Sequence, residues 1–289
     1  MVREQNRLPP RTTAGRNRSL KWFGNLALAL FMVWTLAPFY WMIITSVKPY
    51  EEIYGTTATL WPHEPTLESY RVLFWETPYL IYFRNSMIVA LATTFCSLIF
   101  ASLGAYAIAR LKFPGRMLLA RGMIYGYLVP QSLLFIPLFA IMVATGLNNT
   151  LEGLVLAYLG FTIPFCTWLL MGYFLSIPEE LEEAALVDGC TRLGVLFRIV
   201  LPIALPALAV VAFFSFTLAW NEFLYVQVFN NDVNVQTIPA GITNFIIEDV
   251  FFWGPIMASA FLSAIPPLVV YFIFQRWLIT GLTMGAVKG

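Results

Sequence analysis

Residues 182–202 read EEAALVDGCTRLGVLFRIVLP. The stretch opens on two acids, passes through paired alanines and an Asp-Gly step, and ends in an apolar run closed by proline. With Glu179 and Glu180 just before it, it holds the densest cluster of acids in the chain. On either side lie apolar runs, Gly153–Pro178 and Ile199–Asn221, each long enough to cross a bilayer, for which about 20 residues suffice. A short charged break between two such runs is a loop that re-enters the membrane, and the rest of the chain repeats that design.

Of the 289 residues 59% are hydrophobic and 11% charged, and the mean hydropathy is +0.74. A soluble domain is about 45–50% apolar and about 25% charged, so this is an integral membrane protein. The net charge of +1 suggests no nucleic-acid partner. One histidine, His63, in a Pro/Glu loop removes most metal and triad chemistries, and no cofactor or metal site is expected. Cys96, Cys166 and Cys190 lack metal-like spacing and read as small packing residues without a disulfide. The first apolar run is too long for a signal peptide and lacks a small-residue cleavage site, so it is expected to be retained.

Six charge-free windows predict an all-α polytopic protein: Trp22–Val47, Asn85–Ala109, Gly122–Leu151, Gly153–Pro178, Ile199–Asn221 (continuing to about Phe229) and Val250–Gln275. Barrel strands would alternate polar and apolar residues, and these runs do not. Fourteen of the 17 Lys and Arg fall in the N-terminal segment, in 110–121, in 179–198 and at the C-terminus. The positive-inside rule then puts those segments and both termini in the cytoplasm, and the polar loop 48–84 outside. That loop, with Pro49, Pro62, Pro65 and Pro78, is expected to carry one short helix near Leu67–Trp75. The division expected is a basic segment 1–21, a first span 22–47, the outer loop 48–84, a core 85–279 and a tail 280–289. Trp22, Trp41, Tyr79, Tyr82, Trp253 and Trp277 fit an interfacial belt or the core equally. Gly122 and Gly126 fit a GxxxG helix contact.

Ser176-Ile177-Pro178-Glu179 offers a capping box with Ser176 as N-cap. From there Leu181, Ala184, Ala185 and Asp188 fall on one face of a helix of about three turns, which Gly189 would stop. A short, acid-rimmed, small-faced helix joined to two spans is shaped to be gripped by another protein and to pass on its movement. The alternative for such acids is simple solvation.

No Asp, Glu, His, Arg or Lys lies mid-span, which argues against an ion-driven secondary carrier and against an intramembrane enzyme. No phosphate-binding GxxxxGK[ST] loop occurs either, so any work must come from outside the chain. The nearest acid is Glu222 in Trp220-Asn221-Glu222-Phe223, either a solvated edge carboxylate or a cavity group. Trp220, Asn221, Glu222, Tyr225 and Gln131 are the pathway candidates, an edge acid among neutral and aromatic groups suited to a polyhydroxylated solute. On a continuous helix Asn221 and Tyr225 would share a face, lining the pathway or bracing neighbouring helices.

Glu183-Ala184-Ala185, Asp188-Gly189, Phe197, Ile199, Leu201-Pro202 and Pro206 resemble the EAA loop of the permease subunits of binding-protein-dependent ABC importers. Cys190 stands where alanine is usual. Ala105 to Arg116 (AYAIARLKFPGR), Trp220 to Phe223, and the ending Gln275 to Leu278 with Gly281 to Thr283 and Gly285 to Gly289 resemble the carbohydrate branch, most of all the six-span second permeases of maltose-type importers. The resemblance implies the type I importer permease fold in a bacterial inner membrane, with four partners or pairs of partners: a second permease, two ATP-binding cassette ATPases, an extracytoplasmic solute-binding protein and the lipid bilayer. It implies that Glu183, Ala184, Ala185, Asp188 and Gly189 dock on an ATPase, and that Gly285, Ala286, Val287, Lys288 and Gly289 reach between the ATPases. It also sets the loop Asn230–Gly241 near the delivered solute.

Overall fold

The computed structural model describes residues 14–247 and 250–286. The expected N-terminal segment 1–21 therefore lies outside it up to residue 13. Eleven helices carry the architecture: α1 Ala14–Ser46, α2 Glu68–Trp75, α3 Tyr79–Arg110, α4 Arg116–Tyr127, α5 Gln131–Thr145, α6 Leu151–Phe174, α7 Glu179–Val187, α8 Arg192–Ile203, α9 Leu205–Asn221, α10 Leu224–Phe229 and α11 Trp253–Ala286. Single turns and a two-residue antiparallel pairing, Ile246 with Phe251, fill the connection between α10 and α11.

Among the described residues four helices are long and apolar enough to cross a membrane unbroken, and two bent helix pairs are so when each pair is taken together. The third and fifth expected spans are those pairs. Between α4 and α5 the axis turns by 100°. Pro130 lacks the N–H a continuing helix needs and drives Val129 out of helical backbone, so the window Gly122–Leu151 is not one rod. Between α8 and α9 the axis turns by 83° at Ala204, flanked by Pro202 and Pro206. The turn before that bend, Leu196–Val200, is π-type. Charge-free counting registers apolarity alone and passes over such breaks.

Other expectations meet the structure directly. α2 starts within one residue of the expected short helix. α11 continues to Ala286, past the expected boundary at 279. A Cβ at Gly122 or Gly126 would touch nothing within 4 Å, so among the described residues of this chain the GxxxG pattern marks no close helix contact. The close approach lies elsewhere, where α3 and α6 run along each other. There Ala101, Ala105 and Cys166 are buried, Ser97 Oγ lies 2.7 Å from Thr162 Oγ1, and Gly104 faces Thr167. Small residues let these backbones approach and hydroxyls link them.

Two apolar clusters form the interior. One gathers Tyr79, Tyr82, Tyr158, Phe161, Trp220, Tyr225 and Phe229, which assigns Tyr79 and Tyr82 to the core. The other gathers Ala105, Leu170, Phe174, Val195, Leu196 and Val200 around the ends of α3 and α6. α1 packs on α11 and leaves most of its apolar surface exposed. The loop between α1 and α2 is tied down by Lys48 Nζ donating to the Thr59 carbonyl at 2.6 Å. Bonds from the Thr59 hydroxyl and from His63 hold the Glu52 carboxyl below the usual carboxylate range against its partial desolvation.

Candidate functional site

The acidic helix α7 is built differently from its expected capping. Ser176 Oγ donates to the Tyr173 carbonyl at 2.6 Å and is spent on the preceding helix. The residue at the N-cap is Pro178, which offers no side-chain bond, so the capping box does not form. Pro178 still serves as a start, because its extended backbone (ψ 131°) ends the preceding loop and Glu179 to Glu182 follow at the positive end of the helix. At the other end Gly189 adopts φ +87°. Its N–H bonds to the Leu186 carbonyl at 3.1 Å and that of Cys190 to Ala185 at 2.9 Å, the paired bonds of a Schellman stop. Thr191 Oγ1 then accepts from Gly194 N at 3.1 Å and caps α8. The turn between α7 and α8 is thus fixed by backbone and side-chain bonds at every step.

The two sides of α7 differ sharply. Ala185 and Glu182 turn inward. Leu181, Glu183, Ala184, Val187 and Asp188 turn outward, with Val187 88% exposed. The expected single face of Leu181, Ala184, Ala185 and Asp188 is therefore divided, Ala185 being drawn into the interior by its position three residues after Glu182. Nearby on α8, Leu193 and Phe197 are also exposed, so the acidic helix borders apolar surface.

Glu182 meets Arg110, the last residue of α3. Their side chains are 3% and 4% exposed and Arg110 Nε donates to Glu182 Oε1 at 2.5 Å. Arg110 Nη2 donates to the carbonyls of Phe174 at 2.8 Å and Ile177 at 2.7 Å, and Nη1 lies 3.7 Å from Glu179. The second Glu182 oxygen accepts from the Tyr106 hydroxyl at 3.1 Å. A planar guanidinium with a fixed fork of donors is suited to bind a carboxylate and two carbonyls at once. Sequence reading treated Arg110 as an orientation determinant only. The signal was an arginine ending an apolar run, but its partner lies 72 positions away.

The pathway candidates gather at the opposite end of α6. α9 stops at Asn221, and Glu222 is extended (φ −70°, ψ 127°) before α10 begins at Leu224. Its carboxylate accepts from the N–H of Tyr225 at 3.0 Å and of Val226 at 3.4 Å, and from the Tyr158 hydroxyl at 3.0 Å. An acid at a helix start satisfies free N–H groups, which explains why the helix breaks here. Tyr225, 1% exposed, donates to the Gln131 carbonyl at 2.8 Å and packs on Phe161 and Phe229. Trp220 stacks on Phe216 and donates from Nε1 to the Ser263 carbonyl at 3.1 Å. Asn221 is exposed, its amide bonded to the Thr217 carbonyl at 2.8 Å. The expected continuous helix with Asn221 and Tyr225 on one face does not exist, because the break at Glu222 sends them to different sides. Glu222, Tyr225 and Gln131 are brought together; Asn221 is the member of the set that faces outward.

Gly285 and Ala286 close α11, while Val287, Lys288 and Gly289 lie outside the described residues. Among the described residues no group of three His, Cys, Asp or Glu is arranged to hold a metal ion.

Comparison with known proteins draws these features together. A family model described as "binding-protein-dependent transport system inner membrane component" matches residues 97–284. The inner membrane ABC transporter permease protein YcjP of Escherichia coli is 37% identical over 264 residues, covering 91% of this chain and 94% of that protein. The trehalose/maltose transport system permease protein MalG of Thermococcus litoralis is 36% identical, covering 90% and 94%. A crystal structure of a bacterial ABC transporter involved in the import of the acidic polysaccharide alginate superposes with a TM-score of 0.81 at 21% identity, covering 93% of this chain and 99% of that one. At that identity the match speaks for the fold.

Proposed function

The chain belongs to the binding-protein-dependent transport system inner membrane components, the permease subunits of ABC importers, and we propose that the solute it conducts is a carbohydrate or a related polyhydroxylated compound. As a permease it is a non-catalytic membrane subunit. The observation that carries the solute class is likeness along nine-tenths of the chain to permeases named for trehalose/maltose and for diacetylchitobiose. A permease named for sulfoquinovosyl glycerol, 37% identical, points to the same polyhydroxylated chemistry.

In this reading the chain supplies half of a pathway, a second permease the other half, two ATPases the work and an external binding protein the solute. The exposed apolar surface of α1 is then covered by lipid and by the second permease. The lysine and arginine bias supports a cytoplasmic position for α7 and for both termini. α7 is the docking element: Glu183, Ala184, Asp188 and Gly189 offer an outward, small and acidic surface, and Ala185 anchors it from behind. Gly285–Gly289 reach between the ATPases. Among the pathway candidates Asn221 faces outward to meet solute, while Trp220, Glu222, Tyr225 and Gln131 hold the break that presents it.

The test is the assembled complex, purified through a tag on this chain with its binding protein and reconstituted into vesicles. Maltose, trehalose, diacetylchitobiose and, as controls, amino acids and inorganic phosphate are offered as solutes. Sugar-loaded binding protein is expected to stimulate ATP hydrolysis; stimulation by the controls alone would overturn the solute class.

A further inference from the structure

We propose that Arg110 and Glu182 are positioning residues for coupling: they make α7 one mechanical body with the cytoplasmic ends of α3 and α6, so that movement imposed on the docking helix is delivered to that helix pair directly. This rests on the reading of α7 as the ATPase-docking element.

The argument starts from how α7 is attached. Along the chain it hangs on two short connections, 175–178 and 188–191. A nine-residue helix held only by such connections would swing when gripped. The link between α7 and α9 is a poor lever as well, because it passes through the π-type turn at Leu196–Val200 and the 83° bend at Ala204. Arg110 bypasses both routes. One guanidinium bonds the carboxylate of Glu182 in α7 and the carbonyls of Phe174 and Ile177 at the end of α6, while its own backbone ends α3. Tyr106, one turn earlier in α3, takes the other Glu182 oxygen. Both oxygens of the acid and two arms of the guanidinium are committed, and both side chains are shielded from water. Ion pairs of this kind resist rearrangement, since separating them strands a charge in a dry site. α3 and α6 then run along each other through close small-residue contacts, so they move together. Coupling requires an element whose interactions differ between two states. The clamp routes that difference to α3 and α6 and leaves α9 to follow through its bend.

The experiment is hydrogen exchange by mass spectrometry on the complex with its ATPases, with and without ATP plus vanadate, in wild type, Arg110→Lys and Glu182→Gln. Lysine keeps the charge and loses the fork; glutamine keeps the shape and loses the charge. In wild type the amides of 176–190 and of 101–111 are expected to respond to nucleotide together. In Arg110→Lys the response of 176–190 persists while that of 101–111 falls about fivefold or more, with a smaller fall in Glu182→Gln. A bond with only a structural role would change yield or melting without separating the two responses. The proposal is overturned if 101–111 responds as in wild type in both variants, or if neither variant assembles with the ATPases. A wild-type chain that purifies without ATPase, or whose 176–190 segment ignores nucleotide, would instead overturn the docking reading.

Discussion

Glu182 and Glu222 flank opposite ends of α6, and the two carboxylates are accommodated in different ways. Tyr158 and Phe174, which mark the two places along α6, are separated by about 24 Å of helix. At one end Glu182 shares a dry site with a guanidinium. At the other Glu222 is bonded to a tyrosine hydroxyl and to backbone N–H groups, with no ion pair to a cation among the described residues. The first arrangement fastens three helices to one charged centre; the second uses an acid to finish one helix and begin another. The difference teaches that burial of an acid is not itself a functional signal. What matters is which elements its partners belong to: the clamp joins α7 to α3 and α6, whereas the acid at the Glu222 break ties α10 to α6.

Four substitutions test that contrast, taken from the largest expected effect downward. Arg110→Ala leaves Glu182 buried without its cation and is expected to destabilise the chain by about 3–5 kcal/mol, read as a lowered thermal midpoint in detergent. Adding Glu182→Leu to that variant should recover stability, because the stranded charge is gone; a further loss would mean that the pair is not the unit described. Glu222→Ala removes an acceptor from one hydroxyl and two N–H groups but strands no opposite charge, so about 1–3 kcal/mol is expected. Equal losses in Arg110→Ala and Glu222→Ala would erase the distinction between the two ends. Tyr225→Phe deletes the bond to the Gln131 carbonyl and keeps the ring packing, for about 0.5–1.5 kcal/mol in the same assay.

Much of the fold was legible from apolar runs, because bilayer thickness sets helix length. The short helix α2 and the Gly189 stop were legible too, since both depend on neighbours in sequence. The breaks at Pro130 and Ala204 escape a hydropathy window although the prolines stand in plain view, because it averages over the lost N–H groups that decide them, and the break at Glu222 carries no proline at all. Glu222 is instructive, as its bonds to Tyr225 and Val226 are local but its bond to Tyr158 reaches across the fold. The two sides of α7 were half legible. The EAA pattern pointed to α7, but which of its acids points inward depends on Arg110, which no helical spacing connects to Glu182. For the same reason Ala185 was grouped with an outward face that it does not join.

The account stands most directly on the difference between neighbours Glu182 and Glu183, one clamped inside and the other open to a partner. The decisive measurement is the recovery of ATPase with the tagged chain carrying Glu183→Lys. A groove that receives this acidic helix is expected to be basic, so a lysine there sets like charges together at a cost of several kcal/mol, and the ATPase should be lost while the chain itself keeps its wild-type thermal midpoint. Recovery of the ATPase at wild-type yield, with solute uptake intact, would contradict the assignment of α7 as the element through which the permease is driven.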